Sequence, residues 1–149
     1  MAKEQKVQLV KIAKNLIGKP YKYGATLEEA PNFFDCSSFT QYVFKQVGVQ
    51  LPRSTIEQAR EGKRIENIET LEPGDLIFFR GAQGHYNEKF PKGVGHVVLY
   101  IGDNKTIHAA SVRVQEKPQI VEIGQVEGKP LEEIVEKLKP ITVIKRIIQ

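Results

Sequence analysis

Hydrophobic positions near the start of the chain recur with the period of an α-helix. They fall on one helix face, and lysines and other polar residues occupy the opposite face. Gly18 and Pro20 interrupt the pattern and mark its end. The sequence therefore predicts an amphipathic first helix, whose buried face consists of Val7, Val10, Ala13, Leu16 and Ile17.

A second helix is predicted to begin directly after Asp35. The Asp35 side chain can accept hydrogen bonds from the unpaired N–H groups of the first turn and so cap the helix. Gly48 ends the pattern, and the apolar stripe before it consists of Cys36, Phe39, Val43 and Val47. A capping-box pattern that begins at Ser54 predicts a short third helix over residues 55–61.

After Thr70 the hydrophobic period changes from that of a helix to that of a strand. Short apolar runs are separated by turns rich in Gly, Asn and Asp, which is typical of antiparallel strands. We expect a helix at residues 131–138, and strands at residues 76–79, 96–101, 105–110, 119–123 and 141–148. This order indicates an α+β fold with N-terminal helices packed on a small antiparallel β-sheet.

Composition and charge restrict the class of protein. The chain of 149 residues is 40% hydrophobic, which suffices for one core and predicts a single domain over residues 1–149. The net charge of +4 arises from basic and acidic residues that are interleaved, so a nucleic-acid partner is not indicated. No segment of the sequence is apolar enough for a membrane span. We expect a monomer.

Cys36 is the only cysteine, which excludes an internal disulfide. A lone cysteine on an apolar helix stripe is commonly a small buried hydrophobic residue. The first turn of a helix also offers unpaired N–H groups and the positive end of the helix dipole, which lower the pKa of a thiol. The position of Cys36 therefore favours a nucleophile with a lowered pKa, and a structural thiol is the alternative.

Two of the three histidines lie on neighbouring predicted strands. A thiol nucleophile needs a proton carrier whose ring is held by another group. His96 and His108 fit these two roles if their rings share a face of the sheet. Alternatively, each is an ordinary strand histidine, or both join Cys36 in a zinc site, although no close ligand pair supports a metal. His85 is expected to be merely exposed.

The turn between these two strands decides whether the rings share a face. Side chains alternate along a strand, so directly paired residues must have numbers with an even sum. A three-residue loop over residues 102–104 satisfies this by pairing Ile101 with Lys105, and it predicts a left-handed Asn104. A two-residue loop without a bulge would place the rings on opposite faces.

Six short motifs follow one another along the chain, and the match that they define runs from about residue 9 to residue 110. They are Pro20-Tyr21-Lys22-Tyr23-Gly24, Phe34-Asp35-Cys36-Ser37-Ser38-Phe39, Leu51-Pro52-Arg53-Ser54, Pro73-Gly74-Asp75-Leu76-Ile77-Phe78-Phe79, Gly95-His96-Val97 with Tyr100-Ile101-Gly102, and Ile107-His108-Ala109. In this order they resemble the motifs of the NlpC-type peptidoglycan endopeptidases, a family of papain-like cysteine peptidases. Residues 80–95 form a longer loop than the family pattern suggests, and residues 112–140 match none of its motifs.

The resemblance implies a papain-like core and a catalytic triad. In this triad Cys36 is the nucleophile, His96 is the general base and acid, and His108 orients His96. The reaction implied is hydrolysis of an amide bond through a thioester, which needs no metal or organic cofactor. The substrate implied is the bond from γ-D-glutamate to a diamino acid in peptidoglycan stem peptides.

The resemblance also assigns substrate-binding roles around the nucleophile. Tyr21 matches a tyrosine whose hydroxyl lies beside the thiol, while Asp35 and Ser37 match residues that help to bind the free amine of a stem peptide. The alternatives are a packed aromatic for Tyr21, a helix cap for Asp35 and a first-turn residue for Ser37. Arg53 and Ser54 are interpreted as a turn residue and a cap.

Two other functions and the location of the chain stay open at this point. One is a related thiol amidase or acyltransferase with a substrate outside the wall, and the other is a non-catalytic binding module that kept the fold. An inactive module would be expected to have lost the thiol or its imidazole, and the presence of Cys36, His96 and His108 argues for activity. The charged start, MAKEQKVQLVKIAKNLIG, lacks a secretory signal and favours the cytoplasm by default. A trimmed chain, or export by another route, would instead place it in the cell wall or outside the cell.

Overall fold

The computed structural model describes residues 2–81 and 90–149. His85, which was expected to be exposed, lies outside the described residues. The helices in the described part are α1 (Ala2–Asn15), α2 (Cys36–Gln46), α3 (Thr55–Gln58) and α4 (Leu131–Leu138). The strands are β1 (Lys63–Arg64), β2 (Leu76–Phe79), β3 (His96–Gly102), β4 (Lys105–Gln115), β5 (Val121–Pro130) and β6 (Ile141–Arg146).

The strands form one sheet in the order β1-β6-β2-β3-β4-β5. Every neighbouring pair in this sheet is antiparallel, which confirms the predicted α+β class. The last strand, β6, lies between β1 and β2 rather than at an edge. The order of the strands in the sheet therefore depends on the C-terminal end of the chain.

Both faces of the sheet are covered, which explains the unbroken apolar run in β2. Leu76 and Phe78 face the helices α1 and α2 and join the larger hydrophobic cluster. Ile77 and Phe79 point to the opposite face, where α4 contributes Ile134 to a second cluster. All four side chains of β2 are fully buried because they alternate between two packed layers.

The buried face of α1 differs from the prediction. Leu9 and Ala13 are fully buried, and Leu16 continues their line just beyond the helix. Val7, which was predicted to be buried, is 63% exposed. Two residues apart on a helix means a rotation of about 200°, so Val7 and Leu9 point in nearly opposite directions.

The helix α2 begins and ends as predicted. Asp35 Oδ1 accepts a hydrogen bond of 2.8 Å from the Ser38 N–H, and Ser38 Oγ accepts one of 2.9 Å from the Asp35 N–H. This reciprocal cap fixes the start of α2, and Gly48 follows its end with a φ of 84°. As a consequence, Cys36 is the first residue of a helix that packs against β3 and β4.

The loop between β3 and β4 is shorter than predicted. Only Asp103 and Asn104 connect the strands, with φ values of 52° and 57°. The left-handed Asn104 is confirmed, whereas the three-residue loop over residues 102–104 is wrong. Two successive positive φ values are typical of the tight hairpin turn that follows the twist of the strands.

A bulge in β3 compensates for the shorter loop. The extra residue is Ile101, which lies between the paired positions of β3. Beyond the bulge the paired numbers have an even sum, so His96 and His108 project from the same face of the sheet as predicted. These pairs are Leu99 with Ile107 and Tyr100 with Thr106, whereas Gly102 and Lys105, between the bulge and the turn, have numbers with an odd sum.

Candidate active site

The thiol of Cys36 lies where α2, α3 and the start of β3 meet. Cys36 is 8% exposed. Its Sγ is 3.6 Å from Thr55 Oγ1, in the first turn of α3, and 4.0 Å from the carbonyl oxygen of Gly95, directly before β3. The sulfur therefore has polar neighbours on two sides although little of it is accessible to solvent.

The pKa of the Cys36 thiol is raised above its ordinary value. Burial is the largest cause, and the negative charge of Asp35 adds to it. The Thr55 hydroxyl and the backbone N–H groups of Val97 and Ser37 act in the opposite direction. The prediction that the helix start lowers the thiol's pKa is therefore wrong, because desolvation outweighs the N–H groups of the first turn.

The two histidine rings contact each other directly. His96 Nε2 and His108 Nδ1 are 2.8 Å apart, and the ring planes are perpendicular. His108 is 3% exposed, and His96 is half-buried. The structure thus brings the two rings together, while no hydrogen bond within the described residues joins the Cys36 sulfur to either ring.

Burial lowers the pKa of both imidazoles. The pKa of His96 falls to about 4, and the positive charge of Lys137 on α4 contributes to this shift. The pKa of His108 falls to about 3 through burial and the positive charges of His96, Lys137 and Lys129. At neutral pH both rings are therefore neutral, beside a thiol that is also neutral.

Asp35 performs two tasks with its two carboxylate oxygens. Oδ1 caps α2, whereas Oδ2 forms an ion pair of 2.6 Å with Arg53 Nη2. Arg53 also donates to Ser37 Oγ at 2.7 Å and to the Ala25 carbonyl at 2.6 Å. Arg53 lies in the bend before α3, in agreement with its interpretation as a turn residue, but its guanidinium also joins the loop at Ala25 to both residues that flank the thiol.

The phenol of Tyr21 is held close to the thiol and to the β4–β5 hairpin. Its backbone N–H donates to the Gly124 carbonyl of β5 at 2.9 Å. Burial raises the pKa of Tyr21, and the nearby Cys36 and Asp35 raise it further, while the Ser111 hydroxyl lowers it. The phenol therefore stays protonated and is available as a hydrogen-bond donor.

These residues line one cleft of about 680 Å³. It contains all six predicted site residues, namely Tyr21, Asp35, Cys36, Ser37, His96 and His108. It also contains residues to which the sequence assigned no substrate-binding or catalytic role, among them Arg53, Thr55, Ser111, Arg113, Glu122 and Lys137. The last four lie outside all six motifs, so sequence patterns offered no signal for them.

An ion pair between Arg113 and Glu122 on the β4–β5 hairpin forms one wall of this cleft. Arg113 Nη2 is 2.9 Å from Glu122 Oε2, and the Arg113 guanidinium lies 5.5 Å from the centre of the Tyr23 ring. Ser111 Oγ donates to the other oxygen of Glu122 at 3.1 Å. These contacts fix the shape of the hairpin beside Tyr21.

Residues 2–81 and 90–149 contain neither a cluster of metal ligands nor a helix suited to a membrane. No group of three or more His, Cys, Asp and Glu side chains in this part of the chain could hold a metal ion. None of its helices has both the length and the apolar character that a membrane crossing requires.

Curated proteins and a family profile match most of the chain. The profile of the NlpC/P60 family matches residues 18–130. The chain is 39% identical over 97 residues to "Probable endopeptidase p60" of Listeria grayi, a match that covers 65% of the chain and 16% of that relative. It is 37% identical over 117 residues to "Gamma-D-glutamyl-L-lysine dipeptidyl-peptidase" of Bacillus cereus, with 78% of the chain and 31% of that relative covered.

A solved structure matches the fold over nearly its whole length. The NlpC/p60 domain of the peptidoglycan hydrolase SagA superposes with a TM-score of 0.67 at 27% identity, covering 94% of this chain and 97% of that one. The chain spans less than a third of the two curated relatives but nearly all of this solved domain. The profile, the relatives and the shared fold together show that the chain belongs to the NlpC/P60 family.

Proposed function

We propose that the chain is a cysteine peptidase that hydrolyses an amide bond in peptidoglycan stem peptides, between γ-D-glutamate and a diamino acid. The main support is one observation: a cysteine at a helix start and a pair of hydrogen-bonded histidines line the same cleft. The name of the Bacillus cereus relative, a γ-D-glutamyl-L-lysine dipeptidyl-peptidase, supports the choice of bond.

In the proposed reaction, Cys36 attacks the carbonyl carbon while its proton passes to His96. Both groups are neutral at rest, so this transfer accompanies the attack instead of preceding it. Backbone N–H groups at the start of α2 stabilise the oxyanion, and the protonated Tyr21 phenol is a further donor. His108 keeps the His96 ring in place through the 2.8 Å contact.

Breakdown of the tetrahedral intermediate uses the same groups in reverse. The C–N bond breaks, and His96 gives its proton to the leaving amine of the diamino acid, which leaves a thioester on Cys36. A water then loses a proton to His96 and attacks the thioester. The C–S bond breaks, the sulfur recovers the proton and the glutamyl acid is released.

We further propose that the amino terminus of the stem peptide binds beside Asp35 and Ser37. The Asp35 carboxylate already forms an ion pair with the Arg53 guanidinium, so the site presents an anion and a cation close together. An ammonium group can pair with Asp35 and bond to the Ser37 hydroxyl, while Arg53 holds both side chains in position.

Mass spectrometry of digests provides the test. Purified peptidoglycan and free stem peptides, with either a free or an acetylated amino terminus, are incubated with the protein. We expect cleavage after γ-D-glutamate, with slower cleavage of the acetylated peptide. The Cys36→Ala variant should form no product yet remain folded, because the loss of one small side chain costs about 1 kcal/mol.

The possible outcomes separate the competing functions. Cleavage that persists in Cys36→Ala would overturn the role of the thiol. Transfer of an acyl group to an added amine, without hydrolysis, would indicate an acyltransferase. Binding of stem peptides without any product from the wild-type protein would indicate a binding module.

A further inference from the structure

We propose that Glu127 is a positioning residue that fixes the hydrogen positions of the two histidines, so that His96 can accept the proton of Cys36. The peptidase step of this inference rests on the function proposed above. The placement of the hydrogens is a property of the resting protein and can be tested without substrate.

The geometry around His108 singles out Glu127. The two residues are direct partners across β4 and β5, and their side chains therefore lie on the same face. His108 Nε2 is buried and has no hydrogen-bond partner within the described residues. Glu127 Oε1 lies 3.9 Å from this nitrogen, and the Glu127 side chain is 28% exposed, which leaves it room to approach.

The contact between the two neutral rings allows two arrangements of hydrogens. In the first, His96 Nε2–H donates to His108 Nδ1, and His108 carries its own hydrogen on Nε2. His96 Nδ1 is then unprotonated and can accept a proton. In the second, His108 Nδ1–H donates to His96 Nε2, and His96 carries its hydrogen on Nδ1. That nitrogen can then no longer act as a base.

The charge of Glu127 discriminates between these arrangements. In the first, the Nε2–H of His108 points towards the carboxylate, which attracts it. In the second, the unprotonated Nε2 of His108 presents a lone pair to the negative charge, which is unfavourable. The carboxylate therefore stabilises the arrangement that leaves His96 Nδ1 free.

The other charged residues near the rings do not distinguish between the two arrangements of hydrogens. Lys129 on β5 and Lys137 on α4 are cations that oppose protonation of His108, and Glu122 is an anion that acts on His96. They influence the total charge of the rings. Within the described residues, Glu127 is the only acidic residue whose carboxylate oxygen lies within 4.0 Å of the second nitrogen of His108.

Nuclear magnetic resonance of protein labelled with nitrogen-15 in histidine tests the inference directly. Two-bond correlations at pH 7 report which ring nitrogen carries the hydrogen. We expect both His96 and His108 of the wild-type protein to be protonated at Nε2. A His108 protonated at Nδ1 would overturn the proposal without any need for a variant.

Substitutions at Glu127 add a second test. Glu127→Met should move His108 towards the Nδ1-protonated form and lower kcat by about tenfold or more, with little change in KM. Glu127→Gln, whose amide oxygen can still accept a hydrogen bond, should retain part of the Nε2-protonated form of His108 and part of the wild-type kcat. The control Glu136→Gln removes an exposed carboxylate that pairs with Lys139, and it should change neither the hydrogen position on His108 nor kcat.

The two proposals fail in different ways. If the wild-type protein cleaves no stem peptide but shows the expected hydrogens, the proposed function fails and the role of Glu127 in fixing the hydrogens stands. If Glu127→Met keeps the wild-type hydrogens and kcat, Glu127 has no positioning role, whatever the substrate.

Discussion

At the scale of single residues, the environment of the thiol leads to a test that needs no substrate. Cys36 is the only cysteine, so alkylation reports on one site. Burial and Asp35 raise the pKa of the thiol in the folded protein. The midpoint of the alkylation rate against pH should therefore lie higher in the folded protein than in the protein unfolded by urea, where it should be about 8.5.

Iodoacetamide and mass spectrometry provide this measurement. Restricted access slows alkylation at every pH, whereas a change in pKa moves the midpoint, so the two effects can be separated. A midpoint below that of the unfolded protein would mean that the N–H groups of the first turn dominate after all.

The histidine pair predicts a loss of stability in acid. The pKa of His108 is lower in the folded protein, about 3, than the ordinary value of 6.5. Between these values the unfolded chain binds the proton and the folded chain does not, so stability falls as the pH drops below about 6.5. His108→Gln removes this titration, and the decrease in Tm from pH 7 to pH 4.5 should become smaller.

The control for this prediction is Glu136→Gln, which also removes one ionisable side chain. It should show the full decrease in Tm of the wild-type protein, because Glu136 is exposed and its ion pair with Lys139 lies in solvent. An equal decrease in wild type and His108→Gln would show that other groups cause the loss of stability in acid.

At the scale of elements, the cap of α2 can be separated from the proposed substrate contact. Asp35→Asn retains an oxygen that can accept from the Ser38 N–H but loses the charge that pairs with Arg53. Asp35→Ala loses both. We expect Asp35→Ala to lower the free energy of unfolding by about 1 kcal/mol more than Asp35→Asn does.

Kinetics on stem peptides distinguish the second role of Asp35. If the carboxylate binds the free amine, both variants should raise KM for peptides with a free amino terminus. Neither should alter KM for acetylated peptides. Unchanged KM values in Asp35→Asn would leave Asp35 as a helix cap alone.

The elements that the sequence predicted well are those whose signals are local. The start of α2 depends on a cap within four residues, and β2 is a compact apolar run between clear turns. The strand β5 was predicted too short because its second half has a single buried residue, Val126, among glycine and polar residues. The strand β4 was predicted too short because its end extends past the packed core. Val112 and Val114 are 67% and 55% exposed in that end of β4, so the short alternation of apolar and polar residues there does not mark a buried face.

The site residues that were missed depend on contacts between distant segments. Arg53 reaches Asp35 across 18 positions in the sequence, and no local pattern distinguishes it from an ordinary turn arginine. Glu122 enters the cleft from the β4–β5 hairpin and Lys137 enters it from α4, and the positions of both elements follow only from the assembled sheet. The predicted pKa of the thiol was wrong for the same reason, because desolvation arises from the whole fold.

At the scale of the whole molecule, a buried ion pair connects the C-terminal strand to the middle of the sheet. Asp75, directly before β2, is fully buried. Arg146 at the end of β6 donates to both carboxylate oxygens of Asp75, at 2.9 and 2.8 Å. Arg146 also contacts Glu72 at 3.1 Å and the Thr70 carbonyl at 2.9 Å. The pair thus ties β6 to the turn that leads into β2.

Removing the arginine should therefore destabilise the whole fold. Arg146→Gln leaves the Asp75 carboxylate buried without its cation, at a cost of about 3–5 kcal/mol in the free energy of unfolding. The matched control is Arg64→Gln on the neighbouring strand β1, because Arg64 pairs with Glu66 in solvent and should contribute less than about 1 kcal/mol. Urea denaturation measures both, and the double variant Asp75→Asn with Arg146→Gln should be less destabilised than the sum of the single variants. Equal small costs for the two arginine variants would mean that β6 is held by its strand pairing and apolar contacts, with no contribution from the ion pair.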